Sequence, residues 1–155
     1  MSLIIGTEYC TLDSNGRFKF PIALKKQLGT DDGRFVVRRS FDVDCLELWT
    51  YDSFQCEVER LQSRLNPYNM QDRAILRHLN MGNIVELDTN DRLLIPSEQK
   101  SAVASSKKIV LQSIGSYIEI WDFDKYQAMN AELSNFAQMV NDRLGVEDKG
   151  AEPRD

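Results

Sequence analysis

The sequence predicts an α+β protein, mainly β, in which two tandem units form one closed barrel and an amphipathic helix follows each unit. Two observations carry this. The first is an internal repeat. Residues 12–25 read LDSNGRFKFPIALK and residues 87–100 read LDTNDRLLIPSEQK, with six of fourteen positions identical at an offset of 75. Chance would give roughly one match at ordinary residue frequencies. A second match, LELWTYDSFQ at 46–55 against IEIWDFDKYQ at 118–127, falls at an offset of 72. A shorter turn, IGS in place of SFDVD, accounts for the change of offset. The second observation is that apolar residues alternate in short runs within each copy and recur at helical spacing after it.

Each element has a local cause. Residues 5–12 alternate loosely and contain Ile, Tyr and Thr, as a strand does. Asp13-Ser14-Asn15-Gly16 is a turn: Asn-Gly signals a tight hairpin, and Asp13 can accept nearby backbone N–H groups. Arg17–Phe20 is a short strand. Pro21 opens a brief helix where proline is welcome, Leu24 and Leu28 face inward, and Gly29 closes it. Phe35–Arg39 and Cys45–Trp49 make a second strand pair. Eight such strands closing into one barrel would leave no sheet edge.

The first long helix runs over about 52–65, with Phe54, Val58, Leu61 and Leu65 on one face. Asn66-Pro67-Tyr68-Asn69 breaks it, and a short helix over about 70–79 leads to the second copy. A second long helix spans about 124–144, with Tyr126, Met129, Leu133, Phe136, Val140 and Leu144 at helical spacing, a stripe suited to core or subunit contacts. The units are 5–54 and 81–124, joined by a helical connector at 55–80 and followed by a C-terminal helix at 125–145. The tail 146–155, VEDKGAEPRD, has no apolar anchor and is expected to be disordered.

Composition narrows the function classes. The chain has 155 residues, 42% hydrophobic and 28% charged, ordinary for a soluble globular protein. No apolar run approaches the roughly 20 residues a membrane helix needs, and the first residues lack a signal-peptide pattern. A cytoplasmic protein with no membrane partner is expected. Cys10, Cys45 and Cys56 have no CxxC spacing and fit a reducing compartment better than a disulfide framework. His78 is the single histidine, which leaves little for zinc or for histidine-based catalysis. It lies among Arg73 and Arg77 on the connecting helix and reads as a surface or packing residue. Asp42, Asp44 and Glu47 read as an acidic hairpin rather than a cation cage. No glycine-rich phosphate loop exists, and no cysteine has a plausible nearby base. The expectation is a protein that is not an enzyme, with no cofactor, metal or small-molecule substrate.

Charge is unevenly spread. The net charge is −5, yet residues 1–40 carry seven basic and four acidic side chains, against four basic and nine acidic in 119–155. The acidic total argues against indiscriminate coating of nucleic acid. A local basic face remains open, because charges beyond about 10 Å are largely screened.

The repeated loop holds the candidate residues. Asp13 and Arg17 sit four apart across a tight turn. They can form an acid–base clip that fixes the hairpin, or Asp13 can orient Arg17 toward a phosphate or a guanine edge; the two readings are compatible. Lys19 shares a strand face with Arg17. Lys25 and Lys26 lie on the following helix within reach of a nucleic-acid backbone, although helix-surface lysines are usually just solvated. Trp49 and Trp121 end equivalent strands in the two copies, which favours packing over base stacking.

These residues together resemble the MraZ family of bacterial transcriptional regulators, relatives of the AbrB-like swapped-hairpin barrels. Two Asp-x-x-x-Arg motifs, LDSNGRFKFP and LDTNDRLLIP, each followed by a proline-started helix, carry the resemblance. The CLELW and IEIW strands, each leading into a helix, extend it over about residues 5–140. The resemblance implies two AbrB-like swapped-hairpin units in one barrel. It also implies a nucleoid-associated regulator of the division and cell-wall gene cluster, including its own promoter, that binds short direct repeats in double-stranded DNA as a ring of many subunits. Arg17 and Arg92 map to the family's DNA-contacting arginines, and Asp13 and Asp88 to its motif aspartates. The second copy departs from the first. Asp91 stands where the first has Gly16, adding negative charge beside Arg92 and removing the residue at ease with positive φ. Leu94 replaces Lys19 and Gln99 replaces Leu24. The first loop is therefore expected to bind and the second mainly to complete the barrel. A protein-interaction module of antitoxin type, with little DNA affinity of its own, is the alternative.

Overall fold

A computed structural model describes residues 3–29, 33–103 and 107–145; the expected disordered tail lies outside them. Each copy contributes four strands. The first supplies β1 (Thr7–Thr11), β2 (Arg17–Lys19), β3 (Arg34–Arg39) and β4 (Leu46–Thr50). The second supplies β5 (Gly82–Glu86), β6 (Arg92–Leu94), β7 (Lys108–Ser113) and β8 (Ile118–Asp122). Every pairing is antiparallel.

The strands pair as two sheets and not as one closed ring. Six form a sheet in the order β1-β7-β8-β4-β3-β5, and β2 and β6 form a separate ribbon. The ribbon lies beside both edge strands, β1 and β5, without ladder hydrogen bonds to either. Pro21 and Pro96 cut each ribbon strand short, so neither has the run of free N–H groups that a second ladder requires.

Most pairings join one copy to the other. β1 pairs with β7, β5 with β3, β4 with β8 and β2 with β6; only β3–β4 and β7–β8 are hairpins within a copy. The Asn15-Gly16 turn forms, with Asp13 N–H donating to Arg17 O at 2.8 Å and Gly16 N–H to Asp13 O at 3.1 Å. It does not seed a ladder, because β1 and β2 part beyond it to find partners in the second copy.

Side-chain alternation explains the layers. Phe35, Val37, Leu46, Leu48, Ile109, Leu111, Ile118 and Ile120 face one core. The alternate positions Val36, Trp49, Val110 and Trp121 are buried on the opposite face. Both tryptophans are thus packing residues, and each indole N–H donates to a glutamate two residues earlier, Glu47 at 3.0 Å and Glu119 at 2.8 Å.

The helices follow the repeat with one change. α1 (Ile22–Leu28) starts at Pro21, buries Leu24 and ends at Gly29 with φ 55°. Its counterpart Ser97–Ala102 is a 3₁₀ helix. Gln99, in place of Leu24, is buried there and donates from Nε2 to Asn83 Oδ1 at 3.1 Å. α2 (Tyr51–Gln62) buries Val58 and α3 (Met70–Leu79) spans the expected range.

The chain divides into a unit of residues 1–124 and a second of 125–155. The expected long C-terminal helix is broken. α4 (Phe123–Ala131) stops, α5 (Phe136–Val140) follows, and Asn141–Gly145 winds as a π-helix. Glu132 and Leu133 N–H tighten onto Met129 and Asn130 O, and the Ser134-Asn135 pair that follows has weak helix propensity. Leu133, Phe136, Met139, Val140 and Leu144 are exposed, so no buried apolar face holds the turns together.

Candidate nucleic-acid interface

The ribbon register sets the site. Arg17 stands opposite Leu94, Phe18 opposite Leu93 and Lys19 opposite Arg92. Paired residues share a face and successive ones alternate. Phe18 and Leu93 therefore enter the core, while Arg17, Lys19, Arg92 and Leu94 form the outer face. This changes the charge balance expected of the two copies. Leu94 replaces Lys19 in the repeat, but antiparallel pairing sets Lys19 beside Arg92, so the second motif's arginine has a lysine neighbour and Arg17 faces the leucine.

The loops leading into the ribbon are built alike. Asp13 Oδ1 accepts N–H groups from Asn15 and Arg17, both at 2.9 Å. Asp88 Oδ1 accepts them from Asn90 at 2.8 Å and Arg92 at 2.9 Å. These backbone bonds, above all the one from the motif arginine, hold both carboxyls below the usual range, with the Arg17 and Arg92 charges adding to the effect. The clip expected between the Asp13 and Arg17 side chains takes another form. Asp13 holds Arg17 by its backbone, and its Oδ2 lies 3.6 Å from Nη1 of Arg92 in the other copy. Arg17 makes no ion pair with a described residue.

Asp91 keeps the backbone shape of Gly16, with φ 59° against 86°; aspartate is among the few side-chain residues that tolerate this region. Its carboxylate is paired with Lys25 Nζ at 2.7 Å. Lys25, a candidate for a phosphate, is thus engaged within the protein. The equivalent lysine of the second copy, Lys100, was not singled out by its sequence context, although its identity with Lys25 in the repeat was the available signal. It crosses Gly16: a Cβ there would collide with Lys100 Cε and stand 3.1 Å from Nζ.

The other candidates have ordinary partners. Asp42 accepts from Ser40, Asp44 pairs with Arg39, and Glu47 pairs with Arg38. His78 is exposed and meets Phe41 edge to face at 6.3 Å. All three cysteines are free. Among the described residues, no helix is long and apolar enough to cross a membrane.

Two interleaved repeats around a shared core, with a basic two-stranded ribbon outside, define a two-repeat α+β protein with a candidate polyanion-binding face. The family described as "MraZ protein, putative antitoxin-like" matches residues 82–145. A transcriptional regulator MraZ of Christiangramia forsetii is 37% identical over 149 residues, covering 94% of this chain and 95% of that protein. One of Flavobacterium psychrophilum is 34% identical over 148 residues, 94% of each chain. One of Cytophaga hutchinsonii is 33% identical over 147 residues, 93% of this chain and 96% of that protein. The chain belongs to the MraZ family.

Proposed function

We propose that the chain is a sequence-specific, DNA-binding transcriptional regulator whose contact face is the outer side of the β2–β6 ribbon. The single observation that carries this is the register that gathers Arg17, Lys19 and Arg92, from two distant segments, on one solvent-facing surface. A two-stranded ribbon fits the roughly 12 Å wide major groove. Arg17 and Arg92 present guanidinium forks to guanine edges or phosphates, and Lys19 contacts phosphate. Asp13 and Asp88 hold the loops so that both arginines leave the ribbon at a fixed place. Both ends of the ribbon take part, because Lys19 supports Arg92. The printed name of the relatives, transcriptional regulator, supports the same reading. The crossing of strands between copies supports a swapped-hairpin reading, in which sheet and ribbon share one core.

One ribbon offers few contacts, so several must act together. Exposed Phe41, Ile75 and Met81 line a groove of about 820 Å³, and Leu133, Phe136 and Leu144 add apolar surface in the second unit. Such surface supports self-association into a nucleoid-associated ring that reads direct repeats upstream of its own gene and the division and cell-wall cluster. Linking sites in this way raises affinity by about 10²–10⁴. Fluorescence anisotropy on DNA from upstream of the gene, beside a shuffled duplex, tests the proposal. Sequence-preferring, salt-sensitive binding that Arg17→Ala and Arg92→Ala both weaken supports it. No preference for the upstream DNA at low salt overturns it in favour of a protein-interaction role.

A further inference from the structure

The two ends of the ribbon are not charged in the way the repeat suggests. At one end Arg92 has Lys19 opposite it, and the nearby Lys25 is tied to Asp91 at 2.7 Å. At the other end Arg17 has Leu94 opposite it, and the helix lysine equivalent to Lys25 is Lys100. Where Lys25 meets a carboxylate, Lys100 meets Gly16, whose missing side chain leaves room for the lysine stem. No ion pair joins Lys100 to a described residue, and it is only partly buried. Glycine at 16 and aspartate at 91 therefore set opposite fates for two equivalent lysines: one is paired with a carboxylate, the other has no carboxylate partner among the described residues.

Resting on the DNA-binding reading above, we infer that Lys100 is a phosphate-contacting residue of the DNA interface, held over Gly16 to serve Arg17 as Lys19 serves Arg92. Each motif arginine then has one lysine close by, Lys19 opposite Arg92 in the ribbon and Lys100 at Gly16, the residue before Arg17. The two come from different places in the repeat, a strand in one case and a helix in the other. A phosphate is the ligand that fits, because an ammonium on a flexible stem supplies a point charge with little geometric demand, whereas base reading favours the guanidinium fork. Gly16 has a second role here beyond its φ of 86°, since any side chain would displace the lysine.

The test is the salt dependence of binding by the full-length protein. A phosphate contact contributes about 0.9 to the slope of log affinity against log salt. Lys100→Gln is expected to reduce that slope by about 0.9 for each subunit engaged, and to weaken upstream and shuffled duplexes alike, about fivefold per contact near 0.15 M salt. Gly16→Asp is expected to do the same with residue 100 unaltered, because the new side chain displaces the lysine stem and offers its ammonium a carboxylate. The Lys25→Gln/Asp91→Asn pair, which removes both members of the existing ion pair, is expected to leave the slope unchanged. Circular dichroism confirms that each variant is folded. An unchanged slope in Lys100→Gln, while Arg17→Ala still loses binding, overturns the role of Lys100 and leaves the DNA reading standing. Weakening confined to the upstream duplex overturns the phosphate assignment. Absence of DNA binding by the unaltered protein overturns both.

Discussion

Arg92 Nη1 lies 3.6 Å from Asp13 Oδ2, so the aspartate of the first motif faces the arginine of the second. The same carboxylate uses its other oxygen to hold the Asn15 and Arg17 N–H groups. One side chain thus shapes its own loop and restrains the guanidinium of the other. Two substitutions separate the roles. Asp13→Asn keeps an acceptor oxygen and removes the charge; it is expected to fold normally and to bind DNA more tightly at low salt. Asp13→Ala leaves both N–H groups without their acceptor and is expected to lower both the melting temperature and the affinity. Thermal melts beside anisotropy on one duplex check the contrast.

The same bonds make the fold acid-sensitive. Asp13 and Asp88 are held below the usual carboxylate range, first by the N–H of the motif arginine. Their stabilising contribution is therefore complete above the unfolded-state value of about 3.9. It is lost as pH falls through the lower folded-state values, where the carboxyls protonate. Melting temperature measured from pH 5 downward should fall less steeply in an Asp13→Asn/Asp88→Asn variant than in the unaltered protein.

A buried ion pair joins β3 to β4. Arg38 Nε and Nη2 both donate to Glu47 Oε1, at 3.3 and 2.8 Å, and Nη1 donates to Leu79 O at 3.1 Å. Its guanidinium also lies 4.7 Å from the Phe41 ring centre and 5.1 Å from that of Phe54. Glu47 stands directly opposite Glu119 across β4–β8, an arrangement that disfavours the sheet without a counterion. Arg38→Ala should cost about 3–5 kcal/mol in urea unfolding, as expected when one partner of a buried pair is removed. Replacing both by apolar residues, Arg38→Met/Glu47→Leu, should cost less than that single change.

The cysteines should react in order of environment. Burial, with a smaller effect from the Glu8 charge, pushes the Cys10 thiol up to about 11. Cys45 is fully buried and shifted further in the same direction by burial and then by the surrounding carboxylates. Cys56 is exposed on α2. A thiol-reactive dye at pH 8 should label Cys56 promptly, Cys10 slowly and Cys45 only on unfolding, because the thiolate is the reactive form. Mass spectrometry of timed samples reads the order; early labelling of Cys45 would contradict the core described here.

Local signals were legible where local forces decide. Pro21, Gly29 and the alternation in β3 and β4 marked their elements because capping, backbone restriction and burial act within a few residues, whereas α2 ends at Gln62, short of the Asn66-Pro67 break. What the sequence could not show was partnership. Asn15-Gly16 reads as a hairpin turn, yet β2 finds β6 because Phe18 and Leu93 bury together in a core made from both copies. The same limit hid the placement of Lys19 beside Arg92 and of Lys25 on Asp91, since both depend on strand register between distant segments. The C-terminal stripe misled for another reason. Its spacing was helical, but with no buried face beneath it the Ser134-Asn135 step prevailed.

Interleaving also fixes when the protein becomes competent during synthesis. Thr7 of β1 pairs with Gln112 of β7, 105 residues later. At translation rates of about 5–20 residues per second, the first strand waits on the order of 5–20 s for its partner to be made. β2 likewise has no ribbon until β6 emerges. A product cut short before β6 leaves the first motif's arginine on an unpaired segment, so on the proposed DNA-binding reading an incomplete chain has no ribbon with which to compete against finished molecules.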